Sequence, residues 1–358
     1  MLKCHNQYIL YRSFLNRMLE RSRLEAVADL IRGRISISGV DEYCFETGIC
    51  KEDFVRIEPG DFEGEIYAVD GSNTIVFDWA VASLNQIRAG YAVYKGRDWQ
   101  RTVVTYDDLF LADKDNYADQ FERYTEAFGL KKFTLEKAEL DRLSTYFREL
   151  QEYIALTDAV NESSQGDLIL FDGSFDVFDP LRSILNKVLM AAKDKGVDLL
   201  AISKSSSLSW GGDLSKPFIP HTNYVGSILA PGVPWYLCLK GKNINPKTES
   251  WDGGRIFITR FHARSDHAFR LDAPSYLIDH IAIAMGNLAS HSCSAECLGY
   301  PHALFRAHRD LRIMDHEEQF LKLKLLSILG EAGMNEEDLR RPLLDYHDVI
   351  EMRPRRIL

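Results

Sequence analysis

Apolar residues recur at helical spacing between Tyr8 and about Arg34, where Leu15, Leu19, Leu24, Val27 and Ile31 are separated by Arg and Glu, so an amphipathic helix is predicted there. The stretch from Gly39 to Gly64 reads as a loop-rich connection. A short strand, Glu65–Val69, runs into Asp70-Gly71-Ser72, and Ile75–Val81, Ile87–Val93 and Arg101–Tyr106 follow as further strands. Together they predict an antiparallel meander. From about Tyr117 to Val160 the chain turns charged and helical, ending in the polar break Asn161–Gly166.

Asp167–Phe171 is a continuous apolar run of the kind buried on both faces of a sheet, and it too leads into a triplet of the same type, Asp172-Gly173-Ser174. Both triplets are expected to end strands. Asp179-Pro180 is a good helix start, Leu181–Lys195 supplies the helix, Gly196 stops it, and Val197–Ser203 is another buried-type strand. That makes a βαβ unit with parallel strands. Further on, Trp235–Lys240, Arg255–Phe261 and Ala268–Leu271 are strand candidates, and Ser275 caps a helix reaching about Ser290. A last helix starts at Pro301 and continues, with a bend, towards Leu329. The end, Met352–Leu358, reads as a basic tail.

Composition narrows the class. The chain has 358 residues, 46% of them hydrophobic and 27% charged, which is ordinary for a packed protein and excludes a disordered, collagenous or coiled-coil chain. With 43 Lys and Arg against 53 Asp and Glu the net charge is −10, so any polyanion must meet a local basic patch. No apolar run approaches the roughly 18 residues of a membrane span, and Met1–Ser13 carries Lys3, His5 and Arg12 where a signal peptide would be apolar. A cytoplasmic location without membrane contact is expected. Six cysteines are too few for a disulfide scaffold; Cys293 and Cys297 beside His291 could be a fragment of a zinc site, though a fourth ligand at useful spacing is missing.

The candidate chemistry gathers beyond the carboxyl ends of strands, where side chains converge. Asp70 and Asp172 at neighbouring strand ends would form a hard-oxygen site for Mg2+ or Mn2+, ions that activate water and bind phosphate; the alternative is that Asp-Gly merely turns the chain. Lys204 closes Ala201-Ile-Ser-Lys204 at the same edge and could hold a phosphate, or be a solvated lysine. Glu149 and Glu152 precede the second acid on a helix whose apolar stripe is Leu143, Phe147, Leu150 and Ile154. By that count Glu152 lies on the opposite, solvated side. His308 follows Leu304 at i+4 and precedes Leu311 at i+3, which places it on the inward, apolar face, the usual position of a core histidine. Arg306, Arg309 and Arg312 make a basic stripe that could grip a DNA backbone.

The residues Tyr67-Ala-Val-Asp-Gly-Ser72, Arg148-Glu-Leu-Gln-Glu-Tyr153, Leu168-Ile-Leu-Phe-Asp-Gly-Ser174, Ile202-Ser-Lys-Ser205 and Gly299-Tyr-Pro-His-Ala-Leu-Phe-Arg-Ala-His308, in this order, resemble the NurA nucleases of archaea and some bacteria. The similarity covers roughly residues 60 to 315. It implies an RNase H-like α/β fold, a mixed sheet of antiparallel meander plus parallel strands flanked by helices. It further implies a homodimer, Mn2+-dependent nuclease activity on single-stranded DNA and DNA ends (endonuclease and 5′–3′ exonuclease), and partnership with HerA, a hexameric DNA-translocating ATPase, in end resection and recombinational repair. Carried over by motif, the metal-holding acids are Asp70, Glu152 and Asp172, with Glu149 still open as the helix acid, and Tyr300 and His308 form the C-terminal pair. One or two Mn2+ or Mg2+ ions are expected, with His308 as a further ligand or acid, and Lys204 facing the phosphate. Lys204, Arg306, Arg309 and Arg312 would touch DNA.

The implied division is a helix and connection at 1–60, a nuclease domain at 61–315 with a helical insertion at about 110–162, and a helical extension with basic tail at 316–358. Two rival readings remain. An actin-like or sugar-kinase-type ATPase shares the core, but its first loop normally carries further Gly and Thr and its domain repeats. The other is a HerA-binding adaptor without chemistry.

Overall fold

The structure is a computed structural model describing residues 23–28 and 39–333, apart from 80–81, 131–133, 137–139, 141, 177–178, 205, 212–215 and 245–252. Most of the predicted opening helix, of which 23–28 is helical (α1), and the basic tail lie outside the described residues. Among those described, no helix is long and apolar enough to cross a membrane.

Among the described residues nine strands form one mixed sheet. In chain order the strands are β1 (Val55–Arg56), β2 (Glu65–Asp78), β3 (Ala82–Lys95), β4 (Asp98–Asp113), β5 (Leu168–Asp172) and β6 (Asp198–Ser203). After a two-residue ladder, β7 (Ser209–Trp210) with β8 (Lys216–Pro217), come β9 (Trp235–Cys238), β10 (Gly254–Arg260) and β11 (Phe269–Pro274). Their spatial order is β1-β9-β10-β11-β6-β5-β2-β3-β4. The long antiparallel meander β2–β3–β4 joins β5 and then β6 in parallel through β2. This is the expected RNase H-like arrangement, extended by the antiparallel strands β11, β10, β9 and β1.

Helices cover both faces. They are α2 (Val40–Thr47), α3 (Tyr117–Thr125), α4 (Leu143–Glu162), α5 (Asp179–Lys195), α6 (Phe218–Leu229), α7 (Ile281–Ser290), α8 (His302–Leu311) and α9 (Asp315–Glu331). Along β2, β5 and β6 successive side chains point to opposite faces. Tyr67, Val69, Ile169, Phe171, Leu199 and Ala201 join α4 and α5 in one core, while Ile66, Ala68, Leu168, Leu170, Leu200 and Ile202 join α7 and α8 in the other. Burial on both faces is why these strands read as unbroken apolar runs.

Several expectations change. The loop-rich stretch 39–64 contains α2, held by Tyr43, which is fully buried edge-on to Trp210 at 5.0 Å, a long-range contact that local pattern does not show. Among its described residues the helical stretch 117–160 holds two α-helices, the first followed by a 3-10 turn that ends at Gly129 with φ +75°. Asp70-Gly71-Ser72 does not end a strand: β2 runs unbroken through it to Asp78, absorbing the strand expected at Ile75–Val81, with Asp70 opposite Gly90 on β3. Ser275 does not cap a helix; its hydroxyl donates to the Gly253 carbonyl at 2.9 Å, and a 3-10 turn leads into α7. The last helix is α8 and α9, parted by extended backbone at Arg312 and Met314.

Candidate active site

The parallel ladder between β2 and β5 ends at the pair Val69 and Phe171. The next residue on each strand is an aspartate. In parallel strands, residues level in register point to the same face, so Asp70 and Asp172 are set side by side on the α8 side of the sheet. Asp70 is 5% exposed; its Oδ1 accepts the Gly71 N–H at 2.7 Å, and His308 Nδ1 lies 2.9 Å from its Oδ2. One ligand atom from each of Asp70, Asp172 and His308 lies within 4.8 Å of the others. The Ser72 hydroxyl ties this arrangement to α8, donating to the Leu311 carbonyl at 2.6 Å and accepting the Ile313 N–H at 3.2 Å. The serine of the motif thus holds the helix that carries the histidine.

His308 is not a core histidine. Its side chain is 52% exposed, because α8 buries Leu304, Ala307 and Leu311 and leaves His308 on the flank, over the acids. Lys204, just past β6, places Nζ 2.5 Å from Asp172 Oδ2 and 5.3 Å from the centre of the Tyr300 ring. Tyr300 is buried beside the acids, and burial with the charges of Asp172 and Asp70 pushes its phenol well above the ordinary range. Burial and the charge of Asp70 raise Asp172 to about 6, against the pull of Lys204 and His308.

Glu152 reverses the solvated reading. It is 2% exposed, and Ala155, Leu156 and Ala159 on its side of α4 are buried too. The helix is covered on two flanks, so a single apolar stripe misjudges it. Glu152 approaches from the other face of the sheet, under Gly71: a Cβ on Gly71 would meet its Oε1 at 2.6 Å. It stands outside the Asp70, Asp172 and His308 group but within its field. Burial, with the charges of Asp70, Glu149 and Asp172, pushes it up to about 8, while Arg148 pulls the other way. Oε1 lies 3.3 Å from Arg148 Nη1 yet has no hydrogen-bond partner. Glu149 instead accepts the Tyr153 hydroxyl at 2.8 Å.

Three supporting residues were not assigned from sequence. Arg148, four residues before Glu152 and so one helical turn away, also reaches the Gly71 carbonyl at 3.4 Å; that i,i+4 spacing was a readable signal. Asp272, fully buried on β11, accepts the Phe175 N–H at 2.8 Å and a two-pronged contact from Arg270 at 2.7 and 2.9 Å. This pair clamps the loop leaving Asp172. No local pattern announces it.

The arginine stripe is divided. Arg306 lies over the Trp99 ring at 4.4 Å and donates to Asp310 at 2.6 Å; Arg309 is half-exposed; Arg312 is exposed past the end of α8. Cys293 and Cys297 form no ligand group with His291: the Cys293 thiol donates to the Ala289 carbonyl, and the one metal-spaced cluster among the described residues is that of Asp70, Asp172 and His308. That cluster fits a divalent cation. It supplies two hard carboxylates and an imidazole, with an unpartnered buried Glu152 oxygen behind them.

A family model, NurA domain, matches residues 64–313. Among solved structures, the NurA nuclease from Sulfolobus solfataricus is similar at 15% identity and TM-score 0.53, covering 91% of this chain and 99% of that one. Another NurA structure is similar at 10% identity and TM-score 0.56, covering 90% and 100%. No curated protein matches the chain by sequence.

Proposed function

The chain belongs to the NurA family, and on that premise we propose that it is a divalent-metal-dependent deoxyribonuclease whose reaction is centred on Asp70, Asp172 and His308. The observation that carries this is the meeting of two carboxylates and one imidazole within 4.8 Å at the end of the β2–β5 ladder, with Lys204 against the second acid. Asp70, Asp172 and His308 would hold Mn2+ or Mg2+, with Glu152 supplying negative charge from beneath Gly71. When bound, such an ion lowers the pKa of water and offsets charge on the phosphate.

The chain's own groups do the rest. Lys204, 40% exposed, can leave Asp172 for the non-bridging oxygens of a phosphodiester, where charge grows as the bond is attacked. His308 would either complete the shell of the ion or, held through Nδ1 by Asp70, pass a proton from its other ring nitrogen to the leaving oxygen; one imidazole does not do both at once. Tyr300, with its phenol kept neutral by burial and by both acids, packs under Lys204 and fixes its direction. Single-stranded DNA and DNA ends as substrate, endonuclease and 5′–3′ exonuclease action, a homodimer, a HerA-type ATPase partner and work in end resection follow the sequence resemblance. Arg306, Arg309 and Arg312 supply backbone contacts that a chain of net charge −10 must localise.

The purified chain should cleave single-stranded and duplex oligonucleotides with Mn2+ or Mg2+, more slowly with Ca2+, and not with EDTA. Asp70→Asn and Asp172→Asn should each lower the rate by roughly a thousandfold or more, since each removes a metal-holding charge, while circular dichroism stays unchanged. Full activity in both variants refutes the assignment, and ATP turnover without DNA would favour the actin-like reading.

A further inference from the structure

A second cluster of charge lies on another flank of α8. The helix turns Leu304, Ala307 and Leu311 to the sheet and His308 to the acids. His302, Arg306 and Arg309, spaced i, i+4 and i+7, share a different side. They wall a cavity of about 300 Å3 that Tyr94 and Arg97 close from the β3–β4 hairpin and Cys293 from the loop after α7. Three guanidinium groups meet there against two carboxylates: Asp310, 2.6 Å from Arg306 and 3.9 Å from Arg309, and Glu296, which is 69% exposed and 3.9 Å from Arg309. Arg97 makes no ion pair among the described residues. Arg306 is held in place by the Trp99 ring and by Asp310. The Nε2 atom of His302 is buried without a hydrogen-bond partner.

Like charges gathered on an otherwise acidic chain repel one another unless an anion joins them, and the planar fork of arginine matches phosphate oxygens. The lining mixes these cationic groups with the aromatic side chains of Tyr94 and Phe305, the combination used to hold single-stranded nucleic acid. We propose that this cavity is a second phosphate-binding subsite of the nuclease, in which Arg97, Arg306 and Arg309 hold a backbone phosphate of the same DNA strand whose scissile bond lies at Asp70 and Asp172. The inference rests on the nuclease reading and adds Arg97 and His302 to it. A free nucleotide offers the same phosphate chemistry, so the two sources need separate arms in the test.

Cys293 is an exposed thiol in the wall and serves as the probe. The full chain is alkylated with iodoacetamide in EDTA, and labelling of Cys293 is read by peptide mass spectrometry against exposed Cys50. A twelve-residue oligothymidylate should slow Cys293 labelling about fivefold or more and leave Cys50 unchanged. Thymidine monophosphate at the same nucleotide concentration should not. Equal protection by the monophosphate overturns the strand subsite in favour of a free-nucleotide site, and no protection by either overturns the subsite altogether. In parallel, Arg97→Ala should raise KM for the oligonucleotide about tenfold with kcat held, and reduce the salt slope of binding by about 0.7, the value of one single-strand phosphate contact; an unchanged slope overturns the proposal. Wild-type protein that protects Cys293 yet cuts no DNA with Mn2+ refutes the nuclease reading alone, whereas protein that cuts but leaves Cys293 unprotected refutes this one.

Discussion

Replacing Glu152 by Gln should stabilise the metal-free protein at alkaline pH while removing activity. Glu152 is buried among Asp70, Glu149 and Asp172, with Arg148 as its one cation, and its pKa stands at about 8 against 4.5 for the free side chain. Below pH 4.5 the group is protonated in folded and unfolded chains alike and makes no difference. Between 4.5 and 8 the unfolded chain gives up a proton that the native chain retains, so stability falls as pH rises, and the loss levels off above 8. At 1.36 kcal/mol per unit the full loss is about 5 kcal/mol, an upper bound because the site relaxes. Gln copies the protonated form and escapes this loss. For a chain of this length 1 kcal/mol corresponds to about 1.3 °C in Tm. Calorimetry in EDTA should therefore show E152Q melting about 4–6 °C above wild type at pH 8.5 and within about 1 °C of it at pH 5. Adding Mn2+ should close the gap by raising wild type, because the ion takes the place of the proton. A gain equal at both pH values, or a loss at pH 8.5, refutes the account of a charge held against its environment for the sake of the ion.

Lys204→Ala should reduce kcat by about 10²–10³ with little change in DNA affinity, since its charge acts where the phosphate gains charge; single-turnover cleavage measures it. Gly71→Ala should push Glu152 aside, as the new Cβ would sit 2.6 Å from Oε1 and 2.8 Å from Cγ, lowering both cleavage and stability, the latter by about 1–3 kcal/mol in urea titration. Asp272→Asn should cost about 3–5 kcal/mol by leaving Arg270 unpaired in the interior, and should raise the Mn2+ concentration needed for half-maximal rate, because Phe175 and the loop beyond Asp172 lose their anchor.

The unit 167–203 was legible because both its signals are local. Leu168–Asp172 and Asp198–Ser203 are apolar runs between polar stops, and α5 begins at Asp179 and ends at Lys195, before Gly196, as the punctuation predicts. Asp70 and Asp172 were legible as a pair only through repetition of a triplet; that they are level neighbours depends on the register that places Val69 beside Phe171. Glu152 and His308 were misplaced for one reason. Periodicity assumes that a helix has one buried side and one wet side. Helix α4 is covered on two flanks, and α8 lies at the rim of the sheet, where a position next to the apolar face opens onto the acids.

The chain's local chemistry determined which groups are available: two aspartates, a lysine just past a strand, an acid-bearing helix and a histidine ten residues into a Gly-Tyr-Pro segment. It also determined the unbroken apolar runs by which β5 and β6 bury both faces. Only the assembled sheet decided which of these groups share one small volume, since that depends on strand register and on contacts between residues more than a hundred positions apart. Burial, which sets the charge state of Glu152, is likewise a property of everything packed around the helix and cannot be read from the helix alone.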